Sequence, residues 1–396
     1  MGKAYIAAAS MIPFGKYPDR TASDLGREAI GSLLEETGIE TSAIEAVYAG
    51  RAFSSHIDGQ VAVPGQVALA ASGICDVPVF NIDNACAACP SALHLATQAI
   101  RAGQYEAVMV IGMDKLYATD RRRSMRALFG AMDVEKMAWM SEALDGDGKA
   151  GSIFMEHYYA RIAREYLKNT GATERDLARI AVKNRKHASL NAVAQYRKPM
   201  TEEEVLASPV VAEPLRTLMC SPLTDGAAAF LVCSENAGKT FGLPLVEVAA
   251  SVVRSGMPQR GTADPVLARA SARAFEEASI GPEDVDLAEV HDASAVAEMI
   301  AIEEIGLAPA GEAKRLLRDG DTALGGRIPV NSSGGLLSRG HPGAATGAAQ
   351  LVELVWQLQE RGGDRQVEKA RVGLAQSSGG LVADEAAATA ITILRR

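Results

Sequence analysis

The stretch EETGIETSAIEAVYAG, residues 35–50, returns in altered form as EEASIGPEDVDLAEVH, residues 276–291. The two segments align without gaps at a constant offset of 241 residues, so that Ile44 falls opposite Val285. A repeat whose period is a whole domain indicates duplication, whereas the repeats of solenoid proteins recur about every 20–50 residues. We therefore expect two similar halves that pack about a pseudo-twofold axis.

A second pair of matching segments carries the candidate chemistry. NACAACPSALHLA, residues 84–96, is a bend of small residues that opens a helix-like stretch, and GHPGAATGAAQLVELVWQL, residues 340–358, repeats that pattern. Matching bends approach each other at the centre of a duplicated fold. The repeat therefore predicts that Cys86 and His341 lie close together, with His291 beside them because it ends the repeated strand.

Strand-like and helix-like segments alternate through both halves, from KAYIAAAS onward. This alternation predicts an α/β fold, with a mostly parallel sheet and helices on its faces. After about residue 117 the sequence becomes Met-rich and polar and then helical, which predicts an inserted helical loop domain. The expected parts are an N-terminal half over 1–116, the loop domain over 117–205, the remainder of the N-terminal half over 206–244 and a C-terminal half over 245–396.

Composition excludes several classes of function. The 396 residues carry a net charge of −9, which argues against nonspecific nucleic-acid binding. No apolar run reaches about 18 residues, so we expect no membrane span. Five cysteines do not resemble a disulfide framework, which favours a cytoplasmic location. The basic run TDRRRSMR, residues 119–126, is either a solvated loop or a phosphate site.

The spacing of Cys86 and Cys89 allows three interpretations: a redox pair, half of a zinc site, or one reactive thiol and a neighbour. The chain has no second C-x-x-C pair, so we predict no metal site. A helix N-terminus and His341 would both lower the pKa of the Cys86 thiol, which favours a nucleophile. Cys89, one helical turn later, is then a packing residue or a supporting one.

Two sites are expected to stabilise negative charge on a carbonyl oxygen. His291 and His341 form the first. The backbone N–H groups of Cys86 and Gly379, the latter in the late SSGG segment, form the second. Structural alternatives are a buried Cys86 that serves only for packing and a His291 whose ring is fully hydrogen-bonded.

The sequence resembles the thiolase superfamily across nearly its whole length, through NACAACPSAL, TDGAAAFLV, HDAS, NSSGGLLSRGHPGAATG and SSGGLVADEAAATAITIL. The HD pair at the strand end is similar to the sterol-carrier-protein-2-type branch. The resemblance implies a five-layered αβαβα fold, a homodimer or dimer of dimers, and coenzyme A thioesters as substrates with no permanently bound cofactor. It also implies that Cys86 is acylated, that His341 activates it, and that His291 and His341 form an oxyanion hole.

The sequence departs from the family at the second cysteine, which moves the proton on the α-carbon. Ser377 and Ala293 occupy the two positions where branches of the family hold that cysteine. Neither side chain is an acid or base near neutral pH. Alternative groups for proton transfer or CoA contact are His157, His187, Cys89, Asp292 and Ser377.

The expected function is that of a CoA-dependent thiolase or acyltransferase of lipid or aromatic acid metabolism, which cleaves or forms a C–C bond of a 3-oxoacyl-CoA through an acyl-enzyme on Cys86. One alternative is acyl transfer without thiolysis, such as a Friedel–Crafts-like C-acylation within a multi-subunit complex. Another is a noncatalytic acyl-CoA-binding subunit. Some chains of this branch work with a small partner that carries a zinc ribbon and an OB-fold, so such a partner is also expected here.

Overall fold

The computed structural model describes residues 2–135, 155–257, 259 and 261–396, without the side chains of residues 156 and 157. His157, one of the predicted site residues, therefore has a side chain outside the described part. The strands are β1 Tyr5–Met11, β2 Ala46–Gly50, β3 Val79–Ile82, β4 Ala107–Lys115, β5 Val210–Ala212, β6 Leu215–Arg216, β7 Asp225–Cys233, β8 Val246–Ser255, β9 Leu287–Glu289, β10 Val372–Val382 and β11 Glu385–Arg395.

The described helices lie between these strands. They are α1 Ala22–Thr37, α2 Ser55–Asp58, α3 Pro64–Leu69, α4 Ala88–Arg101, α5 Arg121–Phe129, a π-helix Met155–Ala160, α6 Arg161–Thr170, α7 Glu174–Ser189, α8 Glu202–Ala207, α9 Glu235–Phe241, α10 Val266–Ala278, α11 Ala295–Ile305, α12 Ala313–Asp319, α13 Gly335–Ser338 and α14 Ala345–Leu358. None of them is both long and apolar enough to cross a bilayer.

The strand order repeats, as the duplication predicts. Nine strands run in the order β3-β2-β4-β7-β1-β8-β11-β10-β9, and β1 meets β8 through only two residue pairs. In the first half β2 is parallel to β4, β4 is antiparallel to β7, and β7 is antiparallel to β1. In the second half β9, β10, β11 and β8 repeat that series of directions. The stretches that repeat at an offset of 241 residues contain β2 and β9.

Five layers follow from where the helices pack. α4 and α14 lie between the two halves of the sheet and share one apolar core with both. α1 and α3 cover the outer face of the first half, while α10 and α11 cover that of the second. β4 and β7 are buried along their whole length because helices cover both of their faces. The αβαβα fold predicted from the sequence is confirmed. The expectation of a mostly parallel sheet is wrong, because the five neighbouring pairs from β4 to β10 in the strand order are antiparallel.

Local sequence sets the ends of these elements. Thr21 caps α1 by accepting the N–H of Asp24, whose carboxylate in turn accepts the N–H of Thr21. Gly38 ends the same helix at φ 64, a left-handed conformation that glycine adopts without a steric penalty. α7 begins with the same reciprocal arrangement at Thr173 and Asp176.

The helices between β4 and β7 pack mainly on the second half. Residues of α6 and α7, among them Ala163, Leu177 and Ile180, share a core with Val296 and Met299 of α11. The segment therefore reaches across the molecule from the first half and stands beside the ends of α4 and α14, where the two predicted bends lie.

Candidate active site

The two predicted bends meet. Cys86 lies two residues before α4, after Ala85, which holds a left-handed φ of 48, and His341 lies four residues before α14. Cys86 Sγ is 3.5 Å from Nε2 of His341, although the two residues are 255 positions apart in the chain. Both side chains are buried, each with 7% of its surface exposed. The contact gives the thiol a neighbouring nitrogen that can accept its proton.

His291 completes the group. Its ring lies nearly perpendicular to that of His341, at 5.0 Å between centroids. Sγ of Cys86 and one ring nitrogen of each histidine all lie within 4.8 Å of one another. Nδ1 of His291 is buried without a hydrogen-bond partner. A histidine with a purely structural role would have both nitrogens satisfied, so the ring of His291 is not held by a complete set of hydrogen bonds.

A hydroxyl group that the sequence analysis did not identify orients the ring of His341, the proposed base. Nδ1 of His341 lies 2.7 Å from Oγ1 of Thr346 in the first turn of α14. The backbone N–H of His341 donates to Oγ1 of Thr224 at 3.1 Å. A proton on Nδ1 that is donated to Thr346 leaves the Nε2 lone pair facing the thiol. The sequence signal was the threonine in GAATG, five residues after the histidine.

Burial, which sequence reasoning underrated, sets the protonation states. Desolvation raises the pKa of the Cys86 thiol, and the negative charge of Asp114 raises it further. Desolvation also lowers the pKa of His341 well below its usual value and that of His291 to about 4. The expected lowering of the Cys86 pKa by the helix N-terminus is therefore wrong for the free enzyme. A neutral thiol faces a neutral imidazole.

Asp114, also missed, connects the loops around both bends. Its carboxylate accepts backbone N–H groups of Phe53, Ser54, Lys115 and Ala344 at 2.7–3.1 Å. Burial raises the pKa of this carboxyl to about 6, although the four N–H groups oppose the rise. A single buried side chain thus ties the end of β4 to the residue before α14.

Gly379 lies against the backbone of the first bend, as expected for a donor next to Cys86. A Cβ added there would stand 2.0 Å from the carbonyl oxygen of Asn84 and 3.1 Å from the N of Cys86. Only glycine permits this approach. Ser377, two residues earlier on β10, faces the same bend and donates its hydroxyl to the carbonyl oxygen of Cys86 at 3.2 Å. Ser377 therefore holds the bend and does not line the cavity described below.

Three other predicted residues do not line the cavity described below, which corrects their assignment. Asp292 is buried and accepts bonds from Asn184 and from the backbone of α13. His187 donates through Nδ1 to the carbonyl of Asn331 and accepts the Leu324 N–H at Nε2, so both nitrogens are occupied. Cys89 is fully buried in the core between the two sheets. Each of these side chains therefore has a structural role, through hydrogen bonds or through packing in the core.

A cavity of about 1530 Å³ opens above the three central side chains. The inserted segment supplies part of its wall, including Tyr158 and Tyr159 of the π-helix, and Cys220 and Ala293 lie in the wall near His291. Its volume exceeds the roughly 300–1,000 Å³ typical of small-ligand pockets, which suits a long substrate.

The basic run of residues 119–126 is mostly helical and contributes to the cavity. Arg121, the first residue of α5, lines the wall. Arg122 instead pairs with Asp120, and Arg123 donates to the carbonyl of Ile57. A guanidinium at the wall is suited to a phosphate-bearing ligand.

The layered fold and the central Cys–His–His group define a class of acyl-transferring enzymes built from two related halves. Comparison with protein families agrees. The family described as Thiolase, N-terminal domain matches residues 4–236, and Thiolase C-terminal domain-like matches residues 255–394. The chain belongs to the thiolase family, and its activity is that of a CoA-dependent thiolase or acyltransferase.

Several curated proteins are similar over nearly the whole chain. The acetyl-CoA acetyltransferase of Methanothermobacter thermautotrophicus is 35% identical over 95% of this chain and 96% of its own length. The benzoylsuccinyl-CoA thiolase subunit BbsB of Thauera aromatica is 35% identical over 96% of this chain and 95% of its own. Sterol carrier protein 2 of Gallus gallus is 30% identical over 95% of this chain and 70% of its own.

Solved structures share the fold. The Ltp2-ChsH2(DUF35) aldolase superimposes with a TM-score of 0.79 at 24% identity, over 100% of this chain and 98% of that one. Human mitochondrial 3-ketoacyl-CoA thiolase gives a TM-score of 0.73 at 17% identity, over the same shares of the two chains. At these identities the likeness extends to the fold alone.

Proposed function

We propose that this enzyme cleaves or forms the C–C bond of a 3-oxoacyl-CoA through an acyl-enzyme on Cys86. The observation that carries the proposal is the 3.5 Å contact between Cys86 Sγ and Nε2 of His341 at the wall of a large cavity. In the cleavage direction the sulfur attacks the 3-oxo carbon while Nε2 takes its proton. Because both groups are neutral beforehand, the proton moves as the S–C bond forms.

Charge on the substrate oxygen is stabilised from the bend. The backbone N–H groups of Cys86 and Gly379 are the proposed donors to the alkoxide formed at the attacked carbon. Collapse of that alkoxide breaks the C–C bond, leaves the acyl group on Cys86 and releases a thioester enolate. His341, now protonated, and His291, which also lines the cavity, are the proposed donors to the enolate oxygen. A CoA thiol then attacks the acyl-enzyme and releases the second thioester.

Intact-mass measurement tests the acyl-enzyme. The enzyme is mixed with acetoacetyl-CoA or benzoylacetyl-CoA, quenched in acid and weighed. We expect the mass to rise by one acyl group in wild type and not in Cys86→Ala. Cys75→Ala is the matched control, since Cys75 is exposed and outside the cavity. No covalent gain with either thioester, together with undiminished thioester binding by Cys86→Ala, would support a noncatalytic subunit instead.

The proposed acyl group is bulky. Support comes from the cavity of about 1530 Å³ and from the small side chain of Ala293 in its wall. The relative whose name contains benzoylsuccinyl-CoA is one of two that are 35% identical, the other being an acetyl-CoA acetyltransferase. Benzoylacetyl-CoA is therefore expected to acylate Cys86 faster than acetoacetyl-CoA, and the proposed role is in aromatic acid or lipid metabolism. The opposite order would favour a short-chain substrate.

We propose that the chain forms a homodimer through β3, the edge strand of the first half. Phe80 on that strand is 42% exposed, and Val61 in the loop between α2 and α3 is 80% exposed. An uncovered strand edge with exposed apolar side chains favours pairing with a second copy. Sedimentation should give a dimer for wild type and a monomer for Phe80→Glu. An unchanged mass would place the interface elsewhere.

A small zinc-ribbon and OB-fold subunit is also proposed as a partner, which would make the enzyme part of a larger complex. It rests on the words "subunit" and "DUF35" in the names of one relative and one structural neighbour. Purification from native cells at low salt tests this proposal, and recovery of the chain with no other stoichiometric protein would contradict it.

Two further features are proposals. A cytoplasmic location is supported by the five cysteines, which are all unpaired in the structure. The division into parts at residues 116, 205 and 244 is supported by the strand order and by the helices between β4 and β7. Cell fractionation tests the location, and limited proteolysis tests the division, since the first cuts are then expected near those boundaries.

A further inference from the structure

The proposed cleavage needs an acid that neither Ser377 nor Ala293 supplies. When the C–C bond breaks, the departing thioester carries its electron pair as an enolate, and its α-carbon must receive a proton. The hydroxyl of Ser377 is engaged with the carbonyl of Cys86, and Ala293 carries only a methyl group. Asp292 and His187 do not line the cavity. This inference rests on the proposed function and concerns the same cavity.

One unassigned thiol lies beside Ala293. Cys220 follows a short 3₁₀ turn, Thr217–Met219, and forms an isolated antiparallel bridge with Ser294. The next N–H along, that of Ser221, donates to the carbonyl of Ala293 at 3.0 Å. The segment of Cys220 therefore runs directly alongside the segment that follows His291. Cys220 and Ala293 both line the cavity, together with Cys86 and both central histidines.

The surroundings of Cys220 suit a proton donor. It is the second thiol in the cavity wall and is partly exposed to that space, whereas Cys89 and Cys233 are fully buried in packed cores. His291 lines the same cavity, and the bridge between Cys220 and Ser294 places the segment of the thiol beside this proposed donor to the enolate oxygen. Burial raises the pKa of Cys220 to about 12, which keeps the sulfur protonated at neutral pH.

Tyr159 is the competing donor in this wall. Burial raises its pKa well above the usual value, and its titratable neighbours Tyr158, Cys86 and Cys220 raise it further. A thiol whose pKa lies closer to neutrality transfers a proton more readily and recovers it more readily in the reverse direction.

We propose that Cys220 is the catalytic residue that protonates the α-carbon of the departing thioester. Its S–H bond breaks, a C–H bond forms at the α-carbon, and the sulfur is left as a thiolate. The incoming CoA thiol gives its proton to that thiolate as it attacks the acyl group on Cys86. His341 returns its proton to the Cys86 sulfur as the new thioester leaves. Both cysteines and the histidine thus end the cycle as they began, and no oxidant or reductant is involved.

The test separates acylation from proton transfer. Wild type, Cys220→Ala and the control Cys75→Ala are each supplied with CoA and with acetoacetyl-CoA or benzoylacetyl-CoA, and cleavage is followed by product chromatography. Cys220→Ala should cleave at least about 100-fold more slowly, in line with the loss of a general acid. Transfer of an acetyl or benzoyl group onto Cys86 from the simple thioesters acetyl-CoA and benzoyl-CoA needs no α-carbon protonation, so it should stay within threefold of wild type.

A second pair of variants guards against simple misfolding. In Cys220→Ala/Ala293→Cys a thiol returns on the neighbouring segment, and cleavage should recover at least tenfold over Cys220→Ala. In Tyr159→Phe the ratio of the cleavage rate to the acylation rate should stay within threefold of the wild-type ratio. In D₂O, deuterium exchange at the α-carbon of acetyl-CoA should fall with Cys220→Ala and recover with the double variant.

The outcomes are distinct. Cleavage by Cys220→Ala within threefold of wild type overturns the role of Cys220. So does a 100-fold fall of the cleavage-to-acylation ratio in Tyr159→Phe alone. Failure of wild type to acylate Cys86 with any of these thioesters instead contradicts the proposed function. Loss of both acylation and cleavage in Cys220→Ala, without rescue by Ala293→Cys, would show that Cys220 serves only for packing.

Discussion

Gly379→Ala should disable the enzyme through a single methyl group. The new Cβ would lie 2.0 Å from the carbonyl oxygen of Asn84 and 2.8 Å from the N of Ala87. Carbon and oxygen rarely approach closer than about 3 Å, so the bend must retreat by about 1 Å or more. The φ of Gly379 is not among the positive values, so backbone strain plays no part. The whole effect comes from this contact.

The expected loss of activity follows from the groups that the bend carries, which are the Cys86 thiol and its backbone N–H. A displacement of about 1 Å in a reacting group costs on the order of 100-fold in rate, and loss of one oxyanion donor costs about 100- to 1,000-fold. We therefore expect kcat/KM for cleavage of a 3-oxoacyl-CoA to fall at least about 100-fold. Overpacking should lower the free energy of unfolding by about 1–3 kcal/mol, so the protein stays folded.

The assay compares two glycines of one strand. Gly373, also on β10, would direct a Cβ only at the ends of two leucine side chains, Leu354 at 3.1 Å and Leu287 at 3.4 Å. Gly373→Ala should therefore keep kcat/KM within threefold of wild type. Its unfolding midpoint in urea should shift by about as much as that of Gly379→Ala. A Gly379→Ala enzyme with wild-type kcat/KM would refute the assignment of the second oxyanion site, because the close approach would then have no function.

Three further predictions follow from named contacts. Thr346→Val removes the hydroxyl 2.7 Å from Nδ1 of His341, so kcat/KM should fall about 10- to 100-fold with little change in KM, whereas an unchanged kcat would show that packing alone orients the ring. Burial lowers the pKa of His291 to about 4, so the unfolded chain binds more protons below about pH 6.5. The contribution of His291 to the free energy of unfolding should therefore be fully present above that pH and fall by up to about 1.4 kcal/mol per pH unit between pH 6.5 and 4. In urea unfolding, the free energy of unfolding of His291→Asn should fall less steeply with decreasing pH than that of wild type. Equal slopes in the two proteins would contradict this role of His291. Asp114→Asn presents an amide to four backbone N–H donors, so the free energy of unfolding should fall by about 2–4 kcal/mol and the melting temperature should drop. An unchanged melting temperature would mean that the loops do not depend on this carboxylate.

Duplication made most of the fold predictable. The stretches of residues 35–50 and 276–291 fixed the relation between β2 and β9, and the strand order extends that relation to both halves. The same symmetry predicted that Cys86 would meet His341. The repeated sequence pattern also predicts the contacts within each half, because corresponding strands and helices bury their apolar residues on corresponding faces.

Burial and loop placement were beyond the sequence. The pKa of the Cys86 thiol rises because its surroundings exclude water, and that depends on segments distant in the chain. From the sequence, His187 was a candidate base on a helix, yet both of its ring nitrogens form hydrogen bonds with the backbone of two loops. Cys220 in LMCSP gave no signal, since its place beside Ala293 is set by an irregular bridge.

The rate at which Cys86 becomes acylated tests the central pairing most directly. Wild type and His341→Asn are mixed with benzoyl-CoA in a quenched-flow instrument, and the modified peptide is identified by mass spectrometry. The acyl group should appear on Cys86, and its rate of appearance should fall by about 100- to 10,000-fold in the variant, because the asparagine cannot take the thiol proton. An acyl group on another residue, or equal rates in both proteins, would contradict the pairing of Cys86 with His341.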